Sequence, residues 1–123
     1  MDIHAFWQAV LMQDAAALAG YFAPGTQVHW HCTNECFTAE EYIRANCEYP
    51  GQWAGEVERT EPVPGGLVTA VRVYLRDGSA SFHATSFFRL ENGLITALDE
   101  YWADDGPAPE WRRQLGLGCS IRR

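Results

Sequence analysis

A chain of 123 residues suits one domain with one core, and its 47% hydrophobic and 20% charged residues are ordinary for a globular protein. A net charge of −7 and an isoelectric point near 4.9 argue against a phosphate-backbone partner and against adsorption to acidic lipid. No apolar run approaches the ~20 residues that a bilayer span needs, so neither nucleic acid nor membrane is expected as a partner.

The N-terminus carries Asp2 and no basic stretch, so no secretory leader is expected. Cys32, Cys36, Cys47 and Cys119 therefore read as free thiols, and a cytoplasmic location follows. Ile3, Phe6, Trp7, Val10 and Leu11 fall at helical spacing and predict a helix over Ile3 to Met12. Asp14 can cap a second helix, Ala15 to Phe22, which Pro24-Gly25 would stop. Thr26 to Cys32 alternates and reads as a strand, with Thr33-Asn34-Glu35 as a loop. Thr38-Ala39-Glu40-Glu41 is a capping box that opens a third helix, ending near Cys47 before Tyr49-Pro50-Gly51.

From Trp53 onward the pattern is strand: Trp53 to Val63, Leu67 to Arg76, Ser79 to Leu90 and Leu94 to Ala103. Asp77-Gly78 and Asn92-Gly93 mark tight turns between the later runs. Gly106 to Arg123 reads as a surface tail in which Trp111 packs back on the body. Residues 1–123 thus form one domain of α+β class: a strongly curved antiparallel sheet wrapped around three N-terminal helices.

That order resembles the nuclear transport factor 2-like superfamily, in particular its SnoaL-like branch, over roughly Phe6 to Asp105. The landmarks are Tyr21-Phe22-Ala23-Pro24 running to Val28-His29-Trp30-His31, the Phe37-Thr38-Ala39-Glu40-Glu41-Tyr42-Ile43 helix start, and Gly93-Leu94-Ile95 running to Glu100-Tyr101-Trp102-Ala103-Asp104. The resemblance implies a cone, a bent sheet closed by three helices, with a pocket between them. Members include ketosteroid isomerase, polyketide cyclases, epoxide hydrolases, dehydratases and non-enzymatic binding domains, so the fold alone leaves function open.

Two-residue turns would set a register in which Thr85 opposes Glu100 and His83 opposes Trp102, with Arg72 across from His83. One face then carries Arg72, Tyr74, His83, Thr85, Phe87, Leu98, Glu100 and Trp102. The other carries Val71, Val73, Leu75, Phe82, Ala84, Phe88, Ile95, Ala97 and Tyr101. Either the mixed face lines the cavity and the apolar face makes a homodimer, or the apolar face packs on the helices and the mixed face meets water. The resemblance favours the first, because Trp102 and Leu98 match pocket-lining positions of ketosteroid isomerase. A three-residue turn would replace His83 and Thr85 with Ala84 and Ser86.

Glu100, beside Thr85, and His83 near it are the candidate catalytic acid and base, since a carboxyl among aromatics holds its proton more tightly and a nearby His could share it. The three groups that steroid isomerase chemistry needs are absent: Trp30, Thr85 or Ala84, and Phe6 occupy those positions. His29, His31, Cys32 and Cys36 match no standard zinc spacing, so no metal is expected. Nor is a nucleotide cofactor, for want of a phosphate-binding loop. Asn34 and Glu35 at the rim, with Trp30, Tyr42, Asn46 and Trp53, complete the expected ligand-binding set. The expectation is a small-molecule pocket with or without isomerase, cyclase, dehydratase or hydrolase chemistry. The alternative is an interaction or assembly domain that uses its apolar outer sheet.

Overall fold

The computed structural model describes residues 1–122. Helix α1, Ile3–Leu11, starts where the Asp2 carboxylate accepts from the Ala5 amide at 3.0 Å. Its face of Phe6, Trp7, Ala9 and Val10 is buried. Helix α2, Ala15–Ala19, is capped by Asp14 in the same way. It ends three residues short of the expectation, because Phe22 already pairs with Ile95 in the sheet and its ring lies against Phe6. The capping box of α3, Ala39–Cys47, is complete: Thr38 Oγ1 accepts from the Glu41 amide, and Glu41 accepts from the Thr38 amide at 2.9 Å.

Six strands form one curled sheet in the order β2-β1-β6-β5-β4-β3. They are β1 Phe22–Trp30, β2 Glu35–Thr38, β3 Trp53–Val63, β4 Gly66–Leu75, β5 Ser81–Glu91 and β6 Leu94–Asp104. Two features depart from the sequence expectation. Glu35–Thr38 is an edge strand that no expectation included, its last residue still capping α3, and it turns back on β1 through a 3₁₀ turn at His31–Thr33 and the left-handed Asn34. In addition, β1 joins β6 in parallel, so the sheet is mixed.

The register is where the expectation fails. Asn92 and Gly93 both have positive φ, 52° and 77°, and Glu91 pairs with Leu94 as a two-residue primed turn requires. One pair later β6 bulges: Leu90 pairs with Ile95 but Arg89 pairs with Ala97, which leaves Thr96 without a partner. The cause is burial. Ile95 and Leu98 are both buried, and residues three apart on a strictly alternating strand cannot point the same way. The extra residue turns both inward. Ser86 then opposes Glu100, Ala84 opposes Trp102, and Thr85 opposes Tyr101. Between β4 and β5 the expected register, Arg72 with His83, is present.

The two expected faces are therefore recombined. The apolar residues of β4 and β5 pack inward together with Leu98, Glu100 and Trp102 of β6, while Arg72, Tyr74, His83, Thr85 and Phe87 share the outer face with Ala97 and Tyr101. This corrects the expected face assignment and leaves no apolar outer sheet face among the described residues. Inside lie Val71, Val73, Ala84, Ser86, Phe88, Ile95, Leu98 and Glu100, all buried. Phe6 is the hub, in edge contact with Trp7, Tyr21, Phe22 and Phe88. Beyond β6 the tail is exposed and carries one short helix, α4, Glu110–Gln114. Trp111 is 63% exposed and does not act as a latch.

Candidate functional site

A cavity of about 270 Å³ opens between the ends of α1 and α3 and the wide end of the sheet. Trp30 from β1, Trp53 from β3, Phe82 from β5 and Trp102 from β6 make its aromatic walls. Val10 and Leu11 of α1 and Val73 of β4 add aliphatic surface. Ala45, Asn46 and Tyr49 close the α3 side, and Cys32, Thr33 and Asp104 stand on the opposite side. Gln13 holds the two helix ends together, donating to the carbonyls of Asn46 at 3.0 Å and Tyr49 at 2.6 Å.

Behind two of the walls lies Glu100, which has no exposed surface. Its Oε1 accepts from the indole N–H of Trp30 at 3.0 Å and of Trp102 at 3.3 Å. Its Oε2 accepts from the Ser86 hydroxyl at 2.5 Å. Burial pushes its pKa up, against the pull of these three donors. The Tyr42 hydroxyl is held well above its ordinary pKa by burial first and by the charge of Glu100 second. The strands explain the assembly: Trp30 pairs in parallel with Glu100, Ser86 sits opposite it, and Trp102 is two residues on along the same face.

The sequence-predicted residues divide between the two faces. Trp30, Asn46, Trp53 and Trp102 line the cavity. Glu100, Leu98 and Tyr42 are buried beneath it, Tyr42 in edge contact with Trp30. Arg72, Tyr74, His83, Thr85 and Phe87 are on the outer face, carried there by the Thr96 bulge and the alternation of β4 and β5. Asn34 and Glu35 are exposed, Asn34 as a left-handed turn residue and Glu35 accepting from Thr33 Oγ1 at 2.6 Å. Neither lines the cavity. Missed were Phe82, which follows from the corrected register, and Asp104, which the alternation Glu100, Trp102, Asp104 would have supplied. Cys32 and Thr33 carried no signal, because only the 3₁₀ turn aims them at the cavity.

His83 belongs to a separate outer cluster. The bulge between Val57 and Arg59 in β3 leaves Glu58 unpaired, and its Oε1 lies 3.0 Å from His83 Nε2. Asp105 meets His83 Nδ1 and accepts from Ser81 Oγ at 2.5 Å. The bond to Asp105 raises the His83 pKa, burial opposes it, and Glu58 adds to the rise. Elsewhere on this face Asp99 Oδ1 lies 3.2 Å from His29 Nδ1 and 2.7 Å from His31 Nε2. These three groups have the composition to take a divalent ion, and their contacts are equally those of one His31–Asp99 hydrogen bond with His29 close by. Tyr101 stacks on His31 and meets Phe87 edge-on.

No protein-family model matches the chain, and no curated protein matches it. Solved structures do. A Kribbella flavida protein provisionally assigned as a ketosteroid isomerase superposes with a TM-score of 0.77 at 21% identity, over 95% of this chain and 86% of that one. A nuclear transport factor 2-like protein of unknown function from Burkholderia xenovorans gives a TM-score of 0.75 at 19% identity, over 96% and 92%. A Catenulispora acidiphila protein with a ketosteroid isomerase-like fold, solved in complex with trimethylamine, gives 0.68 at 12% identity, over 83% and 85%. Together with the mixed, curled sheet closed by three helices, these likenesses show that the chain has the nuclear transport factor 2-like cone fold.

Proposed function

We propose that the chain binds a small organic molecule in this cavity, with a mostly apolar body and one polar handle. The observation that carries the reading is the Trp30–Glu100–Trp102 bridge. A core that only needed filling would be more stable with apolar residues there, because a buried carboxyl costs free energy to desolvate. Here that carboxyl fixes two indole rings side by side in the wall of an open cavity, which is the pre-organisation a ligand site requires. One protein of this fold has been solved with a small organic molecule, which is consistent with the reading.

Glu100 is assigned as a positioning residue. It has no exposed atom, so as an acid or base it would reach a ligand only after an indole swung aside. His83 is on the outer face and is set aside as a catalytic group. The reading is therefore binding rather than turnover, in a reducing compartment such as the cytoplasm that suits the four free thiols. Among the described residues no helix is long and apolar enough to cross a membrane.

A thermal-shift screen with steroid-like, terpenoid and acyl compounds tests the proposal. A ligand held at about a hundred times its Kd stabilises the folded state by about 2.7 kcal/mol, a rise of several degrees. A broad panel without a shift, and without a change in tryptophan fluorescence, would sink it.

A specific observation also favours self-association through the outer face. Phe87 and Tyr101 are each 45% exposed and form one aromatic patch on an otherwise charged sheet. His31 stacks on Tyr101 and extends the patch, as a two-fold contact through one surface could use. Light scattering should give a dimer that Tyr101→Glu disperses; a monomer at micromolar concentration rejects the idea.

A further inference from the structure

The cavity has an aromatic wall and a negative rim, and no cationic side chain lines it. Trp30, Trp53 and Trp102 supply three indoles, with Phe82 and Tyr49 beside them. The ring pairs are in contact: Trp30 with Trp102 at 6.2 Å, Trp53 with Phe82 at 6.0 Å and with Tyr49 at 4.8 Å, and Phe82 with Trp102 at 6.3 Å. They form one continuous wall rather than isolated rings.

Two further features give that wall a sign. Trp30 and Trp102 both point their N–H at Glu100, so neither of these two indoles offers a donor to the cavity. An indole N–H can only donate, so Glu100 Oε1 is an acceptor whatever its protonation state. An N–H bonded to a carboxyl oxygen sends electron density into the ring and deepens the negative potential of its face. Asp104 then places a carboxylate on the same inner face two residues beyond Trp102, at the exposed rim. No Arg or His is among the lining residues. A carboxylate or phosphate ligand would find no cationic partner here and would meet the Asp104 carboxylate.

We propose that the polar handle of the ligand is a small cation, a methylated or otherwise alkylated ammonium, seated against Trp30, Trp53 and Trp102 with Asp104 as its counter-charge. This rests on the pocket reading above and narrows it to one ligand class. Indole is the strongest of the aromatic side chains for a cation, and an ammonium that carries alkyl groups also gains from the apolar wall. Its size suits a cavity of about 270 Å³.

The test uses two probes of one shape. Choline carries a trimethylammonium group, and 3,3-dimethylbutan-1-ol replaces its nitrogen with carbon and has no charge. Binding of each is followed by tryptophan fluorescence and calorimetry, on the parent chain and on Asp104→Asn. Choline should bind about tenfold more tightly than the alcohol. Asp104→Asn should cut that preference about two- to fivefold without changing affinity for the alcohol, and added salt should do the same. Equal affinity for both probes would overturn the cation proposal and leave the pocket standing. So would hits with neutral or acidic compounds in the broad screen when choline does not bind. Failure of both probes and of the whole screen would overturn the pocket reading as well.

Discussion

Glu100 gives the sharpest test of how the cavity is built. Ser86 is fully buried and donates to Oε2 at 2.5 Å, while Trp30 and Trp102 donate to Oε1 at 3.0 and 3.3 Å. Glu100→Ala removes both acceptor oxygens and with them all three hydrogen bonds. The Ser86 hydroxyl then bears the cost of an unsatisfied buried donor, about 1–3 kcal/mol. The indoles border the cavity, where water can reach them, and add about 1 kcal/mol each. The sum is about 3–5 kcal/mol, or a fall of about 10–20 °C in melting temperature for a chain of this size. Glu100→Gln keeps the shape and loses the charge. Its amide oxygen can take the place of Oε1 and accept both indoles, and its amide nitrogen can donate to Ser86 Oγ. The variant should lie within about 1 kcal/mol of the parent.

The pH dependence follows from the direction of the shift. Burial makes native Glu100 hold its proton more tightly than the unfolded chain does. Its contribution to stability is therefore full below the unfolded value, about 4.3, and is lost as pH rises through the folded value. Glu100→Gln lacks that loss, so it should gain on the parent as pH rises. Melting curves by tryptophan fluorescence from pH 4 to 8 read both effects. If Gln proves as damaging as Ala at pH 7, the bridge depends on the charge itself and the argument from hydrogen-bond geometry is refuted.

His83 titrates in the opposite setting, between two acids on the outer face. Its folded pKa is raised, so its stabilisation is present below the unfolded value near 6.5 and disappears as pH rises through the folded value. The melting temperatures of the parent and His83→Gln should converge at high pH, and a gap that ignores pH would count against the cluster. Deleting Thr96 removes the bulge and forces either Ile95 or Leu98 and Glu100 out of the core, so soluble, cooperatively melting protein should be lost. Thr96→Ala keeps the residue count and loses only a 3.4 Å contact to the Arg89 carbonyl, so it should melt within about 2 °C of the parent. A deletion variant with native melting would show that another residue can serve as the bulge.

Local signals were legible where local chemistry decides the outcome. The Thr38 capping box, the Asn92-Gly93 turn and the bounds of Trp53–Val63 are set by neighbours in sequence. The face assignment was not legible from turns alone, because the Thr96 bulge answers to burial rather than to turn chemistry. The signal was present all the same: Ile95 and Leu98 are both aliphatic and three apart, which no regular half-buried strand allows. That single residue moved His83, Thr85 and Phe87 outward while Leu98, Glu100 and Trp102 stayed in. Four of the expected ligand residues line the cavity because each is a large or polar group near an element end. Cys32 and Thr33 were missed because the 3₁₀ turn that aims them has no strong sequence signature.

The parallel pairing of β1 with β6 has a consequence for how the molecule comes together. The meander from β3 to β6 can close hairpin by hairpin, since each strand meets the next one in the chain. Trp30 and Glu100, in contrast, are 70 residues apart. Closing so long a loop is slow, and nothing rewards it until β6 exists. During synthesis β1 leaves the ribosome early and waits, with Val28 and Trp30 uncovered, until nearly the whole chain has followed. The indole wall is thus among the last parts to form, and a chain cut short before Leu94 lacks Glu100, Trp102 and the strand that joins β1 to the meander.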